Sequence, residues 1–98
     1  MAKVPEQIIR LVSQGLIEFS DKAFRQLFEG SFDEDDLQNA IMLGTVIKKE
    51  RDETKVARYK YTVIGPSHSG ELLYCCGKIR RKADNKEYFI ITFHDADR

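Results

Sequence analysis

This 98-residue chain has no run near the roughly 18 consecutive apolar residues that a membrane-spanning helix requires, so a membrane is not among its expected partners. Lys3 is followed by Glu6 and Arg10, which break any secretory hydrophobic segment, and the compartment expected from this is the cytoplasm. Cysteine is scarce: Cys75 and Cys76 are the only two, they are adjacent, and with two histidines they lack zinc-ligand spacing. Neighbours on a strand point to opposite faces, so a bridge between them would be strained. Both read as reduced thiols, Cys75 in a core and Cys76 on an open face. No nucleophile elbow, phosphate-binding glycine loop or catalytic carboxylate pair is present, and no metal or cofactor is expected. Net charge is also missing: 16 Lys and Arg balance 16 Asp and Glu, which argues against a committed duplex-DNA binder. Repeats, low-complexity tracts and linkers are absent, so residues 1–98 read as one domain.

The zero balance hides a division. Residues 1–45 carry four basic and eight acidic residues, and residues 46–98 carry twelve and eight. In the acidic part, Pro5 opens a helix whose stripe is Ile8, Ile9, Leu11 and Val12, and Gly15 stops it. Leu16–Phe19 reads as a short connector with room for extended backbone. Ser20 caps a second helix over Asp21–Glu29, and Asp33 caps a third over Glu34–Leu43. Glu34, Asp35 and Asp36 then sit in a first turn, where the helix dipole favours negative charge. The acidic run is a helix start rather than a metal site.

The basic part alternates. Thr45–Lys49, Val56–Gly65, Glu71–Arg81 and Glu87–His94 read as strands, the last central, and the polar run Glu50–Lys55 as an exposed, mobile loop. In a register that pairs Ile64 with Leu72 and Ile79 with Phe89, one face gathers Tyr59, Tyr61, Val63, Leu73, Cys75, Ile79, Phe89, Ile91 and Phe93. That face should be buried by Leu11, Phe24, Leu27, Phe28, Leu37 and Ile41. The other face gathers Arg58, Lys60, Thr62, Tyr74, Cys76, Lys78, Arg80, Tyr88, Thr92 and His94, with Ile64, Leu72 and Ile90 among them. The predicted architecture is α+β, with N-terminal helices packed on one face of a four-stranded, mostly antiparallel sheet.

The order of several short segments resembles the bacterial domain-of-unknown-function family numbered 4258. They are Phe19-Ser20-Asp21-Lys22-Ala23, Phe32-Asp33-Glu34-Asp35-Asp36-Leu37, Ala40-Ile41 and Gly44-Thr45-Val46-Ile47, then Tyr61-Thr62-Val63-Ile64-Gly65 and Phe89-Ile90-Ile91-Thr92-Phe93-His94. Together they span about residues 17–95. Lys22 stands where the family usually has His, Gln26 where it has Arg, and His94 where Tyr is commoner. Members are similar to the RelE, MqsR and BrnT toxins. The resemblance therefore implies a RelE-like fold, an RNA-cleaving or RNA-binding domain of the toxin type that works without a metal from the open sheet face, and a cognate antitoxin as partner.

RNA cleavage of this kind uses the substrate's own 2′-OH and needs a base, an acid and a cation on the phosphate. On the open face, His94 is the acid–base candidate because an imidazole titrates near neutrality, and Arg80 and Lys60 are the catalytic cations. Arg58 and Lys78 are candidate phosphate contacts, and Tyr74 and Tyr88 candidate base-stacking rings. The plain alternative for the same face is a solvated surface. Two functions stay open: a ribonuclease acting from the basic sheet, and a non-catalytic protein-binding module with a degenerate site. A nucleic-acid binder without cleavage is a third. Convergence of His94, Arg80 and Lys60 in one cleft would favour the first.

Overall fold

The computed structural model describes residues 2–30, 32–52 and 58–96. In chain order the elements are β1 (Ala2–Lys3), α1 (Glu6–Ser13), β2 (Ile17–Phe19), α2 (Asp21–Glu29), α3 (Glu34–Leu43), β3 (Thr45–Asp52), β4 (Arg58–Pro66), β5 (Leu72–Lys82) and β6 (Asn85–Asp95). The class is α+β, but the sheet is six-stranded and mixed, in the order β1-β3-β4-β5-β6-β2, and not four-stranded. The two extra strands sit at its edges. They are two and three residues long, too short to show a period of two, so alternation could not reveal them. β2 runs parallel to β6, pairing Ile17 with Tyr88 and Phe19 with Ile90.

The helices form where caps and apolar spacing agree. α1 buries Ile8, Leu11 and Val12 and closes in a Schellman turn: Gly15 N–H donates to Val12 C=O (3.0 Å) and Leu16 N–H to Leu11 C=O (2.9 Å). Gly15 takes φ +76 there, a conformation glycine adopts without steric cost. α3 starts in a reciprocal capping box, with Asp36 N–H donating to Asp33 Oδ1 (2.9 Å) and Asp33 N–H to Asp36 Oδ2 (3.1 Å). Asn39 on the same helix donates to the Pro66 carbonyl (3.0 Å), and so ties α3 to the β4–β5 turn.

α2 departs from the predicted packing. Their spacing predicts Phe24 and Phe28 in the core, yet they are 53% and 77% exposed. The stripe that docks is Ala23 with Gln26 and Leu27, because the helix is anchored through polar groups at the edge of β6. Ser20 accepts from Ala23 N–H (3.0 Å) and donates to the Ile91 carbonyl (2.6 Å). Gln26 donates to Phe93 C=O (2.8 Å) and accepts from Phe93 N–H (3.2 Å), as a neighbouring strand would. Those bonds fix the helix rotation, and Phe24 and Phe28 are left on its outer side.

Strand registers differ from the prediction in two ways. Ile64 pairs with Tyr74 and Leu72 with Pro66, an even slip that leaves every side chain on its expected face. Between β5 and β6 the predicted register holds from Leu73–Asp95 to Cys76–Thr92, then shifts: Gly77 pairs with Ile90, and Ile91 is the extra residue of a bulge. Beyond it the faces exchange, since one inserted residue reverses the parity. Tyr88 and Ile90 are fully buried, Phe93 stays in the core, and Phe89 turns to the open face. A second bulge at Ile47 places Lys48 opposite Thr62. Of the run read as a loop, Glu50–Asp52 extends β3, and Glu53–Lys55 lies outside the described residues.

The core forms on the face of Val63, Leu73 and Cys75, where Ile8, Val12, Leu37 and Ile41 pack from α1 and α3. Tyr88 lies against Gly77: a Cβ there would stand 2.7 Å from the Tyr88 ring and 2.8 Å from the Phe89 carbonyl.

Candidate nucleic-acid interface

Directly paired residues of antiparallel strands project to the same side, so the register lays out the open face as rows. The first row joins Ile64, Tyr74 and His94, and the second Lys48, Thr62, Cys76 and Thr92. The third joins Glu50, Lys60, Lys78 and Phe89, and the fourth Arg80 and Glu87. The helices build their core on the opposite side.

His94 and Tyr74 meet as expected, with ring centroids 5.2 Å apart at 61°. His94 is exposed, and its Nδ1 lies 3.0 Å from the Asp95 carbonyl. An Nδ1–H donating to that carbonyl leaves Nε2 as the free basic nitrogen.

The other two catalytic candidates are elsewhere. Arg80 is six residues along β5 from Tyr74, a backbone separation of about 20 Å at about 3.3 Å per residue. Lys60 lies beside Lys78, about 13 Å from Tyr74 by the same measure. The three do not share a cleft. Arg80 is moreover engaged: its Nε donates to Glu87 Oε2 (2.8 Å), its Nη2 donates to the same oxygen, and its guanidinium lies over the Phe89 ring, 3.9 Å from the centroid.

Among the RNA-contact candidates, Lys78 and Tyr74 are half-buried on the open face. Tyr88 is not there. It is wholly buried, its hydroxyl has no hydrogen-bond partner among the described residues, and burial holds its pKa well above the ordinary tyrosine range. Phe89, predicted as core, takes its place on the open face. The bulge that exchanges them leaves no mark in a sequence where Tyr88–Ile91 is apolar or aromatic at every position. The side chain of Arg58 lies outside the described residues.

Both cysteines are free. Cys75 is buried, which pushes its thiol far up from the ordinary value, and Cys76 faces the open side. Cys76 lies in a depression of about 300 Å³ lined also by Lys48, Thr62, Tyr74, Thr92 and His94. At the β4–β5 turn, Asp36 accepts from His68 N–H (2.9 Å), and this bond is the main reason its carboxyl is held below the usual range. Among the described residues, no group of three or more His, Cys, Asp and Glu side chains could hold a metal ion, and no helix is long and apolar enough to cross a membrane. Comparison with protein-family models, curated proteins and solved structures finds no match to this chain.

Proposed function

We propose that the open face of the sheet binds single-stranded RNA and does not cleave it. The observation that carries this reading is the stack of Arg80 on Phe89 beside Lys78 and Lys60. Unpaired bases are held by aromatic rings and arginine planes, with cations along the backbone, and this face offers each of these. Tyr74 and His94, about 13 Å away along β5, give a second aromatic position within reach of the same strand.

The spacing that suits binding weighs against cleavage. A base, an acid and a cation must reach one phosphate, whereas His94 and Arg80 are about 20 Å apart by backbone and Arg80 is paired with Glu87. On this reading the toxin-like resemblance applies to the ligand and not to the reaction. A cytoplasmic location accords with it.

One observation favours a second reading, a protein-binding module whose partner would be an antitoxin-like protein. Phe24 and Phe28 meet edge to face at 5.0 Å on the outer side of α2, an apolar surface that a partner helix could cover.

The test is fluorescence anisotropy with a labelled single-stranded oligoribonucleotide at rising salt, followed by a gel for its integrity. The reading predicts binding at low salt, intact RNA, and a salt slope reduced by about one in Lys60→Ala, as for one lost phosphate contact. Absence of binding at low salt overturns it. Phe28→Ser should leave RNA affinity unchanged; if RNA is ignored, and a co-expressed partner binds wild type but not this variant, the second reading replaces the first.

A further inference from the structure

We infer that the depression lined by Lys48, Thr62, Tyr74, Cys76, Thr92 and His94 takes a phosphate monoester, either the phosphorylated end of an RNA strand or a free mononucleotide. For the RNA end, the inference rests on the RNA-binding reading above.

The site is a product of register. Lys48, Thr62, Cys76 and Thr92 are direct partners across four adjacent strands, so they form one row, and the Tyr74–His94 pair closes one side of it. Val46 faces the core opposite Val63; without the extra residue Ile47, Lys48 would share that parity and face the helices. The bulge turns its ammonium to the open side.

The chemistry is one-sided. None of the six lining residues is a carboxylate, and one is a cation. Thr62 and Tyr74 supply hydroxyl donors. The Thr92 hydroxyl donates to Gln26 Oε1 at 3.1 Å and is therefore not a donor to the phosphate. His94 keeps its Nδ1–H on the Asp95 carbonyl, 3.0 Å away, and its ring packs against Tyr74 at the side of the depression. The Lys48 ammonium lies 3.5 Å from the Glu50 carboxylate, with the two side chains 63% and 42% exposed. An exposed pair of this kind is weak, so an entering phosphate competes with it.

Charge also separates a monoester from the strand interior. A terminal phosphate carries about −1.5 to −2 near neutrality, against −1 for each internal diester. The volume of about 300 Å³ suits one nucleotide rather than a length of polymer.

The experiment compares labelled oligoribonucleotides of one sequence that end in phosphate or in hydroxyl, at the 5′ end and at the 3′ end, by anisotropy. AMP is titrated separately while the backbone amide signals are followed by NMR. We expect about a five- to tenfold preference for one phosphorylated end, as for a charge-assisted contact, and loss of that preference in Lys48→Ala. We also expect AMP to shift Thr62, Cys76 and His94. Lys48 is largely exposed, so its replacement does not threaten folding.

A preference that survives Lys48→Ala overturns the inference, as do equal affinities for all ends together with unmoved AMP signals. If no oligonucleotide binds, the RNA reading fails, and AMP then decides alone. Shifts at those three residues support a mononucleotide site, and their absence overturns it.

Discussion

Thr92–Asp95 and Asn85–Ile90 are the two halves of one strand, and they send opposite parities of residue into the core. In the C-terminal half Phe93 is inside and His94 outside, as simple alternation requires. In the N-terminal half Tyr88 and Ile90 are inside, and Phe89 lies outside beneath Arg80. What separates them is Ile91, whose carbonyl is bonded by Ser20 at the mouth of α2. Alternation assigns a face only where one parity is polar. Where both are apolar, the choice falls to tertiary fit, here the seat that Gly77 offers the Tyr88 ring.

The largest expected effect is in the buried half. Tyr88→Ala should lower unfolding free energy by about 3–5 kcal/mol, as should Phe93→Ala, while Phe89→Ala should cost only about 1 kcal/mol for a half-buried ring. Urea denaturation of the three variants checks this order, and a Phe89→Ala loss equal to that of Tyr88→Ala would break the comparison. Gly77→Ala comes next, at about 1–3 kcal/mol from overpacking against Tyr88. The smallest effect has the opposite sign. Tyr88→Phe removes a hydroxyl that is buried without a partner among the described residues, and should raise stability by about 1 kcal/mol; a clear loss would mean that the hydroxyl is satisfied.

The same contrast shows how far the sequence could be read. α2 and α3 were legible to the residue, because Ser20 and Asp33 are strong caps and Gly30 and Gly44 follow the last turns. The faces of β4 and the first half of β5 were legible because Lys60 and Thr62 alternate with Tyr61 and Val63, and Tyr74 and Cys76 with Leu73 and Cys75. Of the site, the meeting of Tyr74 with His94 and the open placement of Cys76 followed from that pattern. The exchange of Tyr88 for Phe89 did not, nor did the arrival of Lys48, since each depends on a bulge. Nor did the pairing of Arg80 with Glu87, which requires the shifted register. The outward turn of Phe24 and Phe28 was hidden because Gln26 docks by hydrogen bonds, and helical spacing registers only apolar contact.

The most direct test of the whole account is the affinity of a labelled single-stranded oligoribonucleotide for Phe89→Ala beside wild type, in one low-salt buffer. Stacking on an aromatic side chain is worth about 1–3 kcal/mol per base. The account therefore predicts binding weaker by about tenfold from a protein that remains folded. Equal affinity for the two proteins would contradict it.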